Sequence, residues 1–340
     1  MIREGLRVPR RQGEEVRRAM VDAGFFEGGF GILREGESLV LPLAAGAKPP
    51  PAWGEIVQRD FPSFETSGST DYRDMLRWTP EDRARLPRSF DVVGDIVLVR
   101  LPSELEDRRE EVGEALLAFV PSARLVGLDR GVQGPERRRA VERIAGKGPW
   151  STRHRENGLA FDVDVARAYF SPRLAREHER VAAQVTEGDR VYDLCCGVGP
   201  FAVTIARDRR AKVVTAVDAN PAAIELLRGT LRRCSFRDRV EPVESRLEEF
   251  LPRAEPRERV VLNLPLEGIK YLPSVARAVS PLGCLYYYEV VGRADAETRT
   301  EAIVSALGGS AAWRVADRHV VHPYSPASDL VAFVLARSGD

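Results

Sequence analysis

The sequence predicts an α/β protein with a doubly wound parallel sheet in its C-terminal half and two smaller α/β modules before it. The chain has 340 residues and 44% hydrophobic content, which is enough for two or three domains with separate cores. From about residue 166, helical patterns alternate with short apolar strands: RVYDLCC, KVVTAVD, VEPVE, RVVLNLP and GCLYYYEVV. Such alternation is typical of a parallel sheet covered by helices on both faces. The last two strand patterns, in AAWRVADRHVVHPYSP and DLVAFVLAR, indicate an antiparallel edge.

Residues 1–65 form the first predicted module. A short strand precedes a helix on which Val16, Met20, Val21 and Phe25 recur at helical spacing. GGFGILREGESLVLPL then indicates two short strands joined by a turn. The Pro/Gly-rich AAGAKPPPAWGEI leads through FPSFETSGSTDYRD into the linker that we predict for residues 66–88.

Residues 89–165 form the second predicted module. SFDVVGDIVLVRL is a strand pattern broken at Gly94 and Asp95, and EDRREEVGEALLAFV after it has the period of a helix. ARLVGLDRG and LAFDVDV predict further strands. The third predicted domain covers residues 166–340.

Composition narrows the class of protein. Basic and acidic residues balance at 51 each, so the chain lacks the strongly basic character of many nucleic-acid-binding proteins. The four cysteines form no CxxC pair, and neither they nor the four histidines show metal-ligand spacing; we expect reduced thiols and no metal. No apolar run approaches the roughly 18 to 20 residues that cross a bilayer, so we expect a cytoplasmic protein with no membrane partner. We also expect a monomer.

The stretch VYDLCCGVGPFAVTIA predicts a cofactor-binding loop. A strand runs into Gly197 and Gly199 and then into a helix, and glycine lets the backbone approach a ligand at the helix N-terminus. Asp218 follows about 20 residues later, where a carboxylate can accept hydrogen bonds from ribose hydroxyls. The loop also fits a dinucleotide fingerprint, or a glycine turn without a ligand. The position of Asp193, the D-x-x-x-G-x-G-x-F pattern and the C-terminal location with NLP downstream favour S-adenosylmethionine, with Asp193 facing its sulfonium and amino groups.

The strand RVVLNLP ends at Asn263, Leu264 and Pro265. The C-terminal end of a strand in an open α/β sheet faces the ligand crevice, so Asn263 can contact substrate or cofactor. The alternative is that Asn263 caps the following turn.

Several separate stretches of the chain carry a resemblance to known proteins. They are RVPRRQGEEVRRAMVDAG, SFDVVGDIVLV, GVQGPERRR, HRENGLAFDVDVARAYFSPRLAREHERV, DLCCGVGPF, VDANP and NLP. Together they resemble one family, the archaeal and eukaryotic type tRNA (guanine-37 N1)-methyltransferases. The resemblance implies a Rossmann-like class I methyltransferase domain that uses S-adenosylmethionine, and an N-terminal module that inspects the outer corner of tRNA. It further implies methylation of N1 of guanosine 37, 3′ of the anticodon.

The resemblance also implies roles for individual residues. Glu177 matches a proposed general base, and Arg137 matches an arginine that supports the base or the substrate. Around the guanine it places Tyr169, Asn263 and Pro265; near the cofactor it places His178, Asp218 and Asn263. Where the family usually has an aspartate for the adenine amino group, this chain has Ser245, which can accept a hydrogen bond but has no charge; Glu244 beside it can substitute if the loop shifts.

The chemistry of the reaction agrees with these roles. Guanine N1 carries a proton, so its methylation requires a base, and a positioned carboxylate contributes about 10² to 10⁴-fold. Burial would raise the pKa of Glu177, while Arg173, Arg176 and Arg180 would lower it, and the residues leave that balance open. The guanine must also leave its stack, and either Tyr169 and Phe170 line its pocket or they pack in the core. Candidate phosphate contacts are Arg10, Arg11 and Arg137 to Arg139.

Two other interpretations stay open. One is a wybutosine-pathway enzyme of the same fold, either an aminocarboxypropyl transferase, which YFSPRL and NLP disfavour, or a methyltransferase for a wybutosine precursor. The other is a noncatalytic RNA-binding protein. The presence of both Glu177 and Asn263 argues against it, since binding alone would need neither residue.

Overall fold

A computed structural model describes residues 2–27, 30–61, 71–133, 138–208 and 210–339. The chain divides into two compact units, Met1–Met75 and Leu76–Asp340. Arg137, one of the predicted site residues, lies outside the described residues. The predicted limits 1–65, 66–88, 89–165 and 166–340 remain a prediction.

The N-terminal unit is a sheet with one helix on it. Its described strands lie in the order β2-β3-β1-β4, and the elements are β1 (Ile2–Pro9), α1 (Gly13–Asp22), β2 (Leu33–Glu35), β3 (Ser38–Pro42) and β4 (Glu55–Asp60). Val16 and Met20 of α1 are buried in the core, as predicted. Val21 is half exposed, because neighbouring helix positions point about 100° apart. Phe25 packs on the core from beyond the end of the helix.

The described part of the segment predicted as a linker contains a short helix. Helix α2 (Pro80–Arg85) begins after Thr79, whose side-chain oxygen accepts a hydrogen bond from the Asp82 N–H at 3.1 Å, and proline occupies its first position. Trp78 is buried and donates to Glu111 at 2.7 Å. The boundary between the two compact units, at Met75 and Leu76, falls within the segment predicted as a linker, and that assignment stays a prediction.

The next described elements form a second sheet, in the order β5-β6-β7-β8. They are β5 (Asp91–Val93), β6 (Ile96–Val99), α3 (Arg109–Phe119), β7 (Leu125–Gln133) and β8 (Arg138–Gly146). The break at Gly94 is the hairpin turn between β5 and β6, with φ +60° at the glycine. β6 and β7 are parallel, and α3 connects them.

A hairpin of β9 (Ser151–Glu156) and β10 (Leu159–Asp164) leads into the largest sheet. The described helices there are α4 (Ala175–Ala183), α5 (Pro200–Arg207), α6 (Pro221–Leu231), α7 (Leu247–Phe250), α8 (Leu272–Ala278) and α9 (Ala296–Ala306). The strands are β11 (Arg190–Leu194), β12 (Val213–Asp218), β13 (Val240–Glu244), β14 (Arg257–Asn263), β15 (Val279–Gly292), β16 (Trp313–Ser325) and β17 (Ser328–Arg337).

The described strands of this sheet lie in the order β13-β12-β11-β14-β15-β17-β16. The first five are parallel, and β17 and β16 form the predicted antiparallel edge. The chain turns back at β11, since β12 lies on one side of it and β14 on the other. In a doubly wound sheet, ligands bind at the carboxyl ends of the strands flanking such a point.

Helices cover both faces of the sheet, which explains why its central strands are apolar on both sides. Tyr286 and Tyr288 of β15 belong to one core cluster and Tyr287 to the other, because successive strand residues point to opposite faces. The β9–β10 hairpin packs on α6, where the Asp162 N–H donates to Thr230 Oγ1 at 2.9 Å. Phe161 of this hairpin lies in the core cluster that contains Tyr286 and Tyr288.

Candidate active site

A cavity of about 600 Å³ opens at the carboxyl ends of β11, β12 and β14. Its wall comes from four parts of the larger unit. The sheet contributes Cys195, Gly197, Asp218, Ser245, Asn263 and Pro265; the segment before and within α4 contributes Tyr169, Phe170, Arg173 and His178; the β5–β8 sheet and its loops contribute Phe90, Asp91, Leu98, Arg100, Asp129 and Arg139; the β16–β17 hairpin contributes His322, Tyr324 and Leu330.

The glycine loop after β11 forms one end of the cavity. Gly199 has φ +80° at the start of α5, and a Cβ atom there would lie 2.5 Å from Leu227 Cδ1. Gly197 has φ +56°, and its N–H donates to Asp218 Oδ2 at 2.7 Å. The loop therefore requires glycine, and a carboxylate from the next strand holds it in place.

Asp218 lies at the end of β12, half-buried on the cavity wall. Its Oδ1 accepts a hydrogen bond from the Asn220 N–H at 2.8 Å. Ser245, after β13, lines the same side, and its N–H donates to the Asp218 carbonyl at 3.0 Å. Glu244 is exposed and absent from the wall, whereas Glu248, which the sequence did not single out, lines it. Glu248, and not Glu244, is therefore the glutamate that this segment contributes to the cavity wall.

Asp193 lies near the end of β11, shortly before the glycine loop. Its side chain is fully buried within β11 and does not line the cavity. Oδ2 accepts from the Ala202 N–H at 3.0 Å, and burial raises the pKa of this carboxyl to about 8. Asp193 thus supports the first turn of α5 through Oδ2, while its Oδ1 is buried with no hydrogen-bond partner among the described residues, and its contact with the cofactor stays a prediction.

Asn263 ends β14 on the cavity wall. Its Oδ1 is buried and has no hydrogen-bond partner among the described residues, which favours a ligand contact over a turn cap. Pro265 also lines the cavity, and its carbonyl accepts from the Val290 N–H at 2.9 Å. That bond fixes the NLP turn against β15.

Tyr169 also lines the cavity and is 36% exposed. The Arg139 guanidinium lies 5.4 Å from the centre of its ring. Arg139 is buried and donates to Asp129 Oδ2 at 2.9 Å and to the Phe170 carbonyl at 3.2 Å. Phe170 is both a core residue and part of the wall, so its two predicted roles coincide.

Glu177 and His178 are neighbours on α4 and face different surroundings. His178 lines the cavity, fully buried; its Nδ1 is 2.6 Å from Glu156 Oε1, and its Nε2 has no partner among the described residues. Glu177 does not line the cavity. The angle of about 100° between adjacent helix positions produces this division.

The Glu177 carboxylate is held by three donors. Arg180 Nη2 and the Tyr288 hydroxyl donate to Oε2 at 2.9 and 3.0 Å, and His319 Nε2 lies 2.9 Å from Oε1. Burial is the largest single influence and raises the pKa, but the hydrogen bonds from Arg180 and His319 together outweigh it, so the pKa of Glu177 is lowered. Of the three arginines expected to lower this pKa, Arg180 is the one that contacts the carboxylate.

The predicted Arg173 and Arg176 lie elsewhere. Arg173 Nε donates to Asp91 Oδ1 at 2.7 Å on the cavity wall, and Arg176 is exposed. Tyr288, which binds Glu177, lies directly opposite Asn263 in the pairing of β14 with β15. Glu177 is therefore connected through Tyr288 to the strand pair that carries Asn263.

Known proteins match along most of the chain. The model of the TRM5/TYW2 methyltransferase domain matches residues 152–307, that of the TYW2 N-terminal domain residues 72–149, and that of the tRNA methyltransferase 5 N-terminal domain residues 5–50. The tRNA (guanine(37)-N(1))-methyltransferase Trm5b of Pyrococcus abyssi is 32% identical over 284 residues, which are 83% of each chain.

The chain belongs to the TRM5/TYW2 methyltransferase family.

Two solved Trm5 structures match nearly the whole chain. The crystal structure of wild-type Trm5b from Pyrococcus abyssi matches with a TM-score of 0.72 and 29% identity over 99% of both chains. A complex of aTrm5 and tRNALeu matches with a TM-score of 0.67 and 27% identity over 98% of this chain and 99% of that chain.

The wall of this family member fits S-adenosylmethionine. Asp218 and Ser245 offer acceptors for ribose and adenine, the Gly197 loop lets a ligand approach the backbone, and the Asn263 Oδ1 atom is buried without a protein partner. His178 Nε2 is a second unpaired polar atom of the wall. Such unpaired atoms are expected where a ligand supplies the missing hydrogen bond.

Several cavity residues of the family fold could not be singled out from sequence. Arg139 was grouped with its neighbours as a phosphate contact, but its position on β8 turns it inward. Arg100, Asp129 and Tyr324 belong to no sequence motif, because they come from distant parts of the chain and meet only in the folded protein.

Within the described ranges, no group of three or more His, Cys, Asp or Glu residues could hold a metal ion, and no helix is long and apolar enough to cross a membrane.

Proposed function

We propose that this protein transfers a methyl group from S-adenosylmethionine to N1 of guanosine 37 in tRNA. The relatives that match over most of the chain carry this activity in their names. S-adenosylmethionine supplies an electrophilic methyl group when bound. The residues of this chain bind it, orient the guanine and receive the proton.

The observation that carries the proposal is a cavity whose wall holds two kinds of group. Asp218, Ser245 and the Gly197 loop suit the cofactor, and Tyr169 beside Arg139 suits a nucleobase. Because N1 lies on the Watson–Crick edge, guanine must leave its stack to react, and a partly exposed tyrosine offers it a new surface. Asn263 lies at the end of β14 on the same wall, where it can orient either ligand.

We assign Glu177 as the base that accepts the N1 proton. The lowered pKa of Glu177 keeps its carboxylate ionised at neutral pH. Glu177 directly precedes His178, which lines the cavity from α4. To accept the proton, the carboxylate has to release at least one of its three donors and turn toward the cavity. Arg137 is proposed to support the base or the substrate from the β7–β8 connection.

The tRNA is proposed to contact both units. The exposed Arg10 and Arg11, directly after β1, can bind phosphates of the outer corner. The larger unit receives the anticodon stem-loop at the cavity. We expect a monomeric enzyme that acts in the cytoplasm.

The test uses the purified chain, a tRNA transcript with G37, and S-adenosylmethionine labelled in turn on the methyl group and on the aminocarboxypropyl group. Nucleoside mass spectrometry should find 1-methylguanosine with the methyl label, and an A37 transcript should remain unlabelled. Transfer of the aminocarboxypropyl label indicates the wybutosine-pathway alternative. N2-methylguanosine, or tRNA binding without transfer, likewise contradicts the proposal.

A further inference from the structure

The mouth of the cavity has an exposed aromatic side chain and an exposed cation from two different sheets. Tyr324 near the end of β16 is 49% exposed, and the side chain of Arg100, directly after β6, is 63% exposed. Both line the cavity, and the Arg100 guanidinium lies close enough to interact electrostatically with the hydroxyls of Tyr324 and Tyr169. The family motifs account for Tyr169 but not for the other two residues.

A β-bulge sets the position of Tyr324. The pairing of β16 with β17 passes from Pro323 to Ser325, so Tyr324 is the extra residue that has no partner across the hairpin. Bulges redirect side chains and are frequent beside active sites. Within the described part of the chain, Tyr324 makes neither a hydrogen bond nor a ring contact. An aromatic ring at the mouth of a cavity is thus available to a ligand.

Arg100 is anchored on one side. Its Nε donates to Asp129 Oδ2 at 3.0 Å, and this is its one hydrogen bond to the described residues. The same Asp129 oxygen binds Arg139, which is buried. The two terminal nitrogens of Arg100 therefore remain available, on a guanidinium whose direction is fixed. An anchored guanidinium of this kind suits a phosphate group.

We propose that Tyr324 and Arg100 bind the nucleotide next to the target guanosine, with its base stacked on Tyr324 and its phosphate bound by Arg100. This inference rests on the proposed function. When the target base occupies the cavity, the nucleotides on either side of it must lie at the mouth, where both residues are exposed. Aromatic rings and arginines are the side chains that stack unpaired bases and bind their phosphates.

The test compares Tyr324→Ala, Tyr324→Phe and Arg100→Gln with the unchanged protein. The control is Val320→Ala, on the same strand, 56% exposed and absent from the cavity wall. We expect Tyr324→Ala to lower kcat/KM for tRNA about tenfold to a hundredfold, the range of one base–aromatic stack. Tyr324→Phe and Val320→Ala should stay within about threefold, because stacking needs the ring and not the hydroxyl. The affinity for S-adenosylmethionine should be unchanged in all four.

A second readout does not depend on methyl transfer. tRNA with 2-aminopurine at position 36, and separately at position 38, reports stacking as a loss of fluorescence on binding. One of the two positions should respond to the unchanged protein and to Tyr324→Phe but not to Tyr324→Ala. Arg100→Gln should weaken tRNA binding and reduce its salt dependence by about one phosphate contact.

The outcomes separate this inference from the proposed function. The inference would be overturned if Tyr324→Ala and Tyr324→Phe changed kcat/KM for tRNA equally. It would also be overturned if the fluorescence change at both positions were the same with and without the Tyr324 ring. Absence of 1-methylguanosine with the unchanged protein would overturn the proposed function, whereas the binding and fluorescence results would still support or refute the nucleotide contact.

Discussion

Replacing Glu177 tests the network around it and its proposed role separately. Glu177→Ala removes the acceptor for Arg180, His319 and Tyr288 at once. Glu177→Gln keeps the shape and one acceptor oxygen but removes the charge. Glu179→Gln is a matched control, since Glu179 lies on the same helix and pairs with Arg207 at 2.8 and 3.0 Å, away from the network.

The loss of stability can be bounded from the contacts. Hydrogen bonds to charged groups contribute about 1.5 to 3 kcal/mol each, but Arg180 and His319 are about a quarter exposed and both keep Asp317 nearby, at 3.7 and 3.0 Å. Water and Asp317 therefore replace part of what is lost. We expect Glu177→Ala to cost about 2 kcal/mol, which corresponds to a fall in Tm of roughly 4 to 8 °C. Glu177→Gln should cost about half as much.

The stability difference should depend on pH. The folded-state pKa of Glu177 lies below its unfolded value, so the unfolded chain takes up the proton first as pH falls. The contribution of Glu177 is thus complete above about pH 4.3, the ordinary glutamate value, and disappears as pH falls further through the folded-state pKa. Melting curves of the wild-type protein and Glu177→Ala should converge in acid.

Catalysis is measured by single-turnover methyl transfer at saturating tRNA. Loss of a general base predicts a rate lower by about 10² to 10⁴-fold for both Glu177→Gln and Glu177→Ala, with Glu179→Gln unaffected. Affinity for S-adenosylmethionine should not change, since Glu177 does not line the cavity. If Glu177→Gln keeps the rate within threefold, Glu177 is a structural residue. Asp129 would then be the carboxylate to test, because it lines the cavity and binds Arg139, which lies beside Tyr169.

Three further changes have defined outcomes. Asn263→Ala should slow methyl transfer at least tenfold while leaving Tm unchanged, because Oδ1 bonds to no described residue; a lower Tm with normal turnover would make Asn263 structural. Gly199→Ala should abolish cofactor binding measured by calorimetry, because its Cβ atom would lie 2.5 Å from Leu227. Gly188 has φ +86° and nothing within 4 Å of an added Cβ atom, so Gly188→Ala isolates the cost of the backbone angle. Equal effects of the two substitutions would refute the clash. Asp193→Asn should change the pH dependence of Tm, because the folded-state pKa of Asp193, about 8, exceeds the unfolded value of about 4. As pH rises between these two values, the wild-type protein should lose stability relative to the variant. Parallel plots of Tm against pH would refute this reasoning.

Local patterns in the chain predicted the fold well. The alternation of apolar strands with helical periods was sufficient for the parallel sheet and its antiparallel edge, since side-chain periodicity is a local property. The glycine loop, Asp218 and Asn263 were also predictable, because the carboxyl ends of parallel strands meet at one edge of the sheet. Composition alone could not show that Trp78, within the segment predicted as a linker, is buried.

The sequence by itself determined the sheet, the cofactor loop and the residues at its strand ends. The tertiary structure alone decided that Asp193 is buried behind the loop, that Glu177 faces His319 while His178 faces the cavity, and that Arg100 and Tyr324 meet at its mouth. These relations join residues as far as 224 positions apart, the separation of Arg100 and Tyr324 by number. Sequence periodicity reports which side of an element is buried, whereas the packing of distant elements decides what that side contacts.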